Sequence, residues 1–247
     1  MTTTGFGIDV GGSGVKGALI DLSTGEMIGE RIKILTPQPS TPDAIATTVT
    51  QIVEQAGWDG PVGITLPSVV TGGIARSAAN IDKSWIGTDA VALFGKALGG
   101  RAVTVLNDAD AAGIAEDTYG AGKDASGVVI LLTFGTGIGS AILHNGVLLP
   151  NTEFGHLEVH GKEAEHRAAS SVKEKKDLSY KQWAVEVSKV LTTIEDLTWP
   201  DLFIAGGGIS RKHEKWIPLL TNRTPVVPAA LLNTAGIAGA ALAASKI

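Results

Sequence analysis

"GFGIDVGGSGVKGALID", residues 5–21, bears on the fold through the segment that succeeds its glycines. Gly12, Gly14 and Gly17 spell G-x-G-x-x-G directly after a strand-like run, the fingerprint of a dinucleotide site. That fingerprint needs a helix next, whose N-terminus would meet a pyrophosphate. The chain continues instead as "VKGALIDLSTGEMIGERIKIL". Here "GALIDL" alternates as a strand, "STGE" is a turn and "MIGERIKIL" is another strand. An antiparallel meander leaves no helix for a dinucleotide, and the nucleotide-binding run G-x-x-x-x-G-K-S/T occurs nowhere. What remains is Asp9 at a strand end, a tight turn of Gly11, Gly12, Ser13 and Gly14, and Lys16 just beyond. Backbone N–H groups in such a turn make a concave anion site, and the lysine adds a point charge. An acid beside an anion site suits a divalent cation between them. A plain glycine hairpin with a solvated acid and lysine is the alternative.

The same grammar recurs. In "SGVVILLTFGTGIGSAIL", residues 126–143, the strand Val128 to Thr133 runs into Gly135, Thr136, Gly137, Ile138 and Gly139, and a second strand leaves. In "PDLFIAGGGIS", residues 200–210, a strand ends in Gly206, Gly207 and Gly208, followed by a serine able to cap a helix. The chain holds 32 glycines with only 5% aromatic residues, and the glycines gather at strand ends, where backbone approaches a ligand.

The 247 residues, 44% hydrophobic and 18% charged, suffice for one large domain or two modest ones with a buried core. A net charge of −5 argues against a general nucleic-acid binder. With no cysteine, disulfides and thiolate metal sites are excluded. No apolar run approaches the roughly 20 residues that span a bilayer. "MTTTGFGIDV" lacks the basic and apolar regions of a signal peptide, so a cytoplasmic protein with no membrane partner is expected.

Taken together, "DVGGSGVKGALID", "LTFGTGIGSA", "TEFGHLE", "AGGGIS" and "NTAGIAGAALA" make the chain resemble sugar kinases of the ROK (repressor, ORF, kinase) family along essentially its full length. "TPQPSTP" at 36–42 and "RTPVVPAAL" at 223–231 resemble the polyphosphate glucokinase branch, which includes polyphosphate/ATP glucomannokinases. The resemblance implies an α/β, actin-like ATPase (ribonuclease H-like) fold, with two α/β domains flanking a cleft. It implies a smaller domain of residues 1–108 plus 233–247, because the small-residue helix "AGIAGAALAASKI" packs back on the first half, and a larger domain of 109–232. Phosphates would be held by Gly11, Gly12, Ser13, Gly14 and Lys16, and by Thr133, Gly135, Thr136 and Gly137. Gly206, Gly207 and Gly208 would lie against the nucleoside, and Asp9 would organise Mg²⁺. The implied activity is phosphorylation of glucose, with mannose as a second substrate, at the 6-hydroxyl from polyphosphate, ATP or both. A strictly ATP-dependent hexokinase and a non-catalytic sugar sensor are the alternatives. The sensors of this family carry an N-terminal helix-turn-helix, for which a hairpin opening at residue 9 leaves no room. Monomer and homodimer both stay open.

"VTVLNDADAAGIAE" is a strand running into Asn107 and Asp108, then a helix. A strand-end carboxylate after an amide that can bond sugar hydroxyls suits a general base for phosphoryl transfer. A helix N-cap is the competing reading. The resemblance favours Asp108 as base with Asn107 beside it, and Asp110 reads as first-turn helix charge. Residues 151–167, "NTEFGHLEVHGKEAEHR", pack acids with three of the five histidines. By resemblance Glu153 and His156 contact the sugar. A later family glutamate follows a zinc-binding cysteine loop that is missing here; Glu165 is the expected equivalent and Glu158 its rival. His156, Glu158, His160 and His166 are a weaker zinc reading. In "SAANIDKSW", residues 77–85, Asn80 resembles a sugar-contacting asparagine, and Trp85 either walls the pocket or packs in the core. A polyphosphate chain needs a basic track. The candidates are Arg167, Lys173, Lys175 and Lys176, interspersed with Glu163, Glu165 and Glu174, or Arg211, Lys212 and Lys215 after the third glycine loop.

Overall fold

Strands β1 (Thr4–Val10), β2 (Val15–Asp21) and β3 (Met27–Ile34) form the antiparallel meander that the alternating residues predict. The computed structural model describes residues 3–247. Internal contacts divide it into two units, one ending at Ala115 and resumed at Thr234–Ile247, the other Glu116–Asn233.

In the first unit, helix α1 (Pro42–Ala56) starts where Thr41 accepts the Ala44 N–H and stops at Gly57 in the left-handed region. Strand β4 (Val62–Leu66) returns parallel to β1. A small hairpin of β5 (Val70–Thr71) and β6 (Ile74–Ala75) and helix α2 (Ala90–Ala97) lead to β7 (Val103–Asn107), parallel to β4. The sheet order is β3-β2-β1-β4-β7. One face carries Phe6, Ile8, Val62 and Ile64, fully buried against Ile45, Val49 and Ile52 of α1. Each such burial contributes on the order of 2 kcal/mol.

The helix that begins at Asp108, α3 (Asp108–Tyr119), carries the chain into the second unit. There β8 (Val128–Phe134), β9 (Ile138–His144) and β10 (Val147–Leu149) repeat the meander. A hairpin of β11 (Glu158–Val159) and β12 (Lys162–Glu163), then α4 (Ala164–Ala168) and α5 (Ser170–Lys175), precede the long α6 (Tyr180–Thr198). A reciprocal Ser179–Gln182 capping box starts α6. Strands β13 (Leu202–Gly206) and β14 (Val226–Pro228) complete a sheet of order β10-β9-β8-β13-β14. This is the first sheet's pattern over again: a meander edge, then parallel strands added beside its first member. Phe134, Trp183 and Trp216 pack edge-to-face with centroids 4.8–5.8 Å apart. They brace the chain just before Gly135.

The last helix, α7 (Ala235–Ala244), lies on the face of the first sheet opposite α1. Its approach explains several glycines. A Cβ at Gly7 would lie 1.9 Å from the Ile237 carbonyl oxygen, one at Gly63 1.8 Å from that of Ala240, and one at Gly239 1.8 Å from that of Ala111. Backbone fills the space a methyl group would need. These glycines serve helix docking and not a ligand. Gly63→Ala is therefore expected to cost about 2–3 kcal/mol by overpacking, lowering Tm by roughly 5–10 °C in a thermal melt. A shift under about 1 °C would mean that α7 does not dock this closely.

Candidate active site

Asp9 and Lys16 are cross-strand partners on β1 and β2, and Asp9 is level with Thr65 on β4. That register places Lys16 Nζ 3.2 Å from Asp9 Oδ2 and lets the Thr65 hydroxyl donate to Asp9 Oδ1 at 3.0 Å. Asp9 is thus held from two sides at the mouth of the hairpin, which the Gly11 N–H closes onto the Gly14 carbonyl at 3.1 Å. Gly12 and Ser13 are exposed at its tip. Asn80, in the left-handed region at φ 60°, stands against this hairpin: a Cβ at Gly12 would lie 3.0 Å from its carbonyl oxygen. Thr65 is fully buried, and sequence reasoning missed it; a polar residue inside an otherwise apolar strand was the available signal.

At the end of β7 the capping question resolves onto Asn107. Its Oδ1 accepts the N–H groups of Ala109 and Asp110 at 2.8 and 3.1 Å, and its Nδ2 donates to the Ser68 carbonyl at 3.2 Å. Asn107 is buried, whereas Asp108 is exposed, with Oδ1 accepting the adjacent Ala109 N–H at 2.9 Å. Asp110 is in the first turn of α3 as expected, and it is buried at 2% exposed, placed where the helix N-terminus favours an anion. Trp85 is a core residue, fully buried beside Phe94, its indole N–H donating to the Ser40 carbonyl at 3.0 Å.

In the second unit the Gly135 N–H closes its hairpin onto the Gly137 carbonyl at 2.9 Å. The start of α5 is tied to this turn. Ser170 Oγ donates to the Gly135 carbonyl at 3.0 Å and Ser171 Oγ to that of Thr136 at 2.7 Å. Thr133, next to last in the strand that feeds the turn, is level with Gly206. The third loop leans on the same strand end. Gly207 adopts φ 82°, and a Cβ there would lie 2.3 Å from the Phe134 carbonyl oxygen. No α-helix comes directly after it. Gly208–Lys215 is a kinked 3₁₀ stretch, and Ser210 donates its hydroxyl to the Gly207 carbonyl at 2.8 Å, so it caps nothing.

Buried Ser140 donates to the Thr152 carbonyl at 2.7 Å and accepts the Phe154 N–H at 2.9 Å, fixing the loop that presents Glu153. Glu165 reaches into the second hairpin and accepts the Ile138 N–H at 3.4 Å. A Cβ at Gly137 would lie 2.3 Å from its Oε2, and one at Gly155 3.3 Å away. Gly137 makes room for this carboxylate, whereas Gly155 chiefly makes room for the Ile138 carbonyl, 2.3 Å from where its Cβ would lie. Desolvation holds the Glu153 carboxyl above its ordinary value, a rise that His156 opposes and Glu165 reinforces. Glu153, His156 and Glu165 therefore share one electrostatic neighbourhood. Glu158 lies in the β11–β12 hairpin, exposed and level with Glu163. The four residues of the zinc reading are not assembled. The close group among the described residues is His156, Glu163 and Glu165, with ligand atoms within 4.8 Å, and Glu163 also meets His166 Nδ1 at 3.3 Å. Arg167 leaves the basic track: it is bonded to Glu186 and to the carbonyls of Val159 and His160.

Residues 5–171 match the ROK family. The chain belongs to the ROK family. This ROK chain is 69% identical over 239 residues to the polyphosphate glucokinase of Mycobacterium tuberculosis (strain CDC 1551 / Oshkosh), covering 97% of this chain and 90% of that one. It is similar to the crystal structure of inorganic polyphosphate/ATP-glucomannokinase from Arthrobacter sp. strain KM, with a TM-score of 0.93, 45% identity and 99% of each chain covered. The fold likeness extends to a ROK family glucokinase from Streptomyces griseus in complex with glucose and AMPPNP, with a TM-score of 0.83 at 24% identity, covering 99% and 100% of the two chains. The fold is the actin-like ATPase fold of ROK sugar kinases. Where the sequence lacks the cysteine loop of the resembled family, this ROK chain has the β11–β12 hairpin, turned by His160 and Gly161 at φ 48° and 77°. That short turn delivers the chain to α4 and Glu165.

Proposed function

We propose that this chain transfers a phosphoryl group from inorganic polyphosphate or ATP to the 6-hydroxyl of glucose, with mannose as a second acceptor. The observation that carries the reading is 69% identity, over nearly the whole chain, to a polyphosphate glucokinase. The local geometry supports the roles. Asp108 accepts the hydroxyl proton as the new O–P bond forms and the bond to the departing phosphate breaks. Asn107 caps the helix that holds Asp108 and keeps one amide hydrogen to offer a sugar hydroxyl. Asn80, Glu153, His156 and Glu165 bind sugar hydroxyls, with Glu165 favoured over Glu158 by its place beside Glu153. The turns Gly11–Lys16 and Thr133–Gly137 cradle phosphates with backbone N–H groups, and Gly206–Gly208 receive the nucleoside of ATP. Asp9 and Thr65 are hard oxygen donors, which fits Mg²⁺ held largely through its own waters. When bound, the ion neutralises phosphate charge. Among the described residues no helix is long and apolar enough to cross a membrane.

A coupled assay for glucose 6-phosphate, with either donor, tests the reading. Turnover with both is expected, and Glu153→Ala should raise the glucose KM by about tenfold or more, since a charge-assisted hydrogen bond to a hydroxyl is lost. Glucose should also protect the wild type, but not this variant, against melting. No turnover with either donor would overturn the proposal, and turnover with ATP alone would leave a plain ATP hexokinase.

A further inference from the structure

The two basic segments that looked like rivals in the sequence meet at one aromatic ring. Lys173 Nζ of α5 lies 4.4 Å from the centroid of Tyr180, and Lys215 Nζ, from the 3₁₀ stretch after the third glycine loop, lies 5.8 Å from the same centroid. Tyr180 is half-buried at the first turn of α6, so its ring is a fixed platform with an ammonium group drawn to it from each segment. Two like charges thus share one ring, and an anion reaching both would find a positive field from each segment. Among the described residues neither lysine has a carboxylate partner within ion-pair distance, although Glu174 and Glu214 stand next to them in the chain. By contrast Arg167, Lys189 and Arg223 of the same unit are all paired with acids.

Both segments are also anchored to the phosphate turn. Lys173 comes just after Ser170 and Ser171, whose hydroxyls bond the Gly135 and Thr136 carbonyls. Lys215 ends the stretch that begins at Gly207, packed on the Phe134 backbone. Both lysines therefore belong to segments anchored on the turn that would hold the reacting phosphates.

Building on the function proposed above, we infer that Lys173, Tyr180 and Lys215 form a subsite for the trailing phosphates of long-chain polyphosphate. Lys175, Lys176, Arg211 and Lys212 are exposed on the same two segments and extend the positive field. ATP ends in a nucleoside where a polyphosphate chain continues, so it has no trailing phosphates for the subsite. The subsite therefore discriminates between donors by length. Contacts to several phosphates release counterions, so affinity through this patch falls with salt.

The test is steady-state kinetics of the wild type, Lys173→Ala/Lys215→Ala, Tyr180→Ala and Tyr180→Phe, with long-chain polyphosphate, tripolyphosphate and ATP at several salt concentrations. The double variant is expected to raise the long-chain polyphosphate KM about tenfold at low salt and to flatten its log–log salt dependence by roughly one to two units. The KM values for tripolyphosphate and ATP should move far less. Tyr180→Ala should follow the double variant in part and Tyr180→Phe, which keeps the ring, should restore affinity. An unchanged long-chain KM and salt slope, with polyphosphate still a donor, would overturn the subsite and leave the kinase reading intact. Equal losses for all three donors would also overturn it, because the lysines would then serve the shared phosphate site. A wild type that phosphorylates glucose from ATP but never from polyphosphate would overturn the subsite and leave a plain ATP hexokinase.

Discussion

Asp108→Asn is expected to slow glucose phosphorylation by roughly 10³-fold, about 4 kcal/mol of transition-state stabilisation, with either donor. The glucose KM should change by less than about threefold, because an amide still hydrogen-bonds a hydroxyl but takes no proton from it. The substitution is a clean probe because Asn107, not Asp108, receives the N–H groups of Ala109 and Asp110 and caps α3. The bond that Asp108 Oδ1 accepts from the Ala109 N–H is available to an asparagine oxygen as well. Melting temperature should therefore stay close to that of the wild type. Steady-state kinetics with a stability check decides the matter. Near-normal turnover would remove Asp108 from the chemistry, and a large loss of stability would make it a structural cap.

Asp9→Asn should cost about 10²–10³-fold in turnover with both donors and raise the Mg²⁺ concentration needed for half-maximal rate. The asparagine is the same size and keeps an oxygen for the Thr65 hydroxyl, which now donates to Asp9 Oδ1 at 3.0 Å. What it loses is the negative charge that balances Lys16 and that the proposed role uses to attract a divalent ion. Since the Lys16–Asp9 pair is partly solvated, its removal should cost less than about 1 kcal/mol of stability. The kinetic loss would then report on the site and not on folding. Magnesium titrations of both proteins, with excess EDTA as the zero point, separate the two effects. An identical Mg²⁺ dependence in wild type and variant would take the cation away from Asp9.

Much of this protein was legible before any tertiary contact was known, and for a common reason. The meanders, the Thr41 and Gly57 ends of α1 and the capped start of α6 depend on residues within a few positions of one another. Spacing and side-chain type suffice for such features. The three glycine loops and the Asn107–Asp108 step were visible in the same way, as residue types at strand ends. Some assignments depended on residues far apart in the chain. Glu165 separates from Glu158 because its carboxylate enters the space left by Gly137, while Glu158 remains on a solvent-facing hairpin. Gly7, Gly63 and Gly239 carry no local signal of their role, which is to let helix and strand backbones touch. Arg167 left the basic track because Glu186 lies beside it, and Lys173 joined Lys215 because Tyr180 lies between them. A sequence records which groups are present and their local order. Which carboxylate meets which turn, and which glycine meets a backbone and which a side chain, depends on distances between segments that only the folded chain sets.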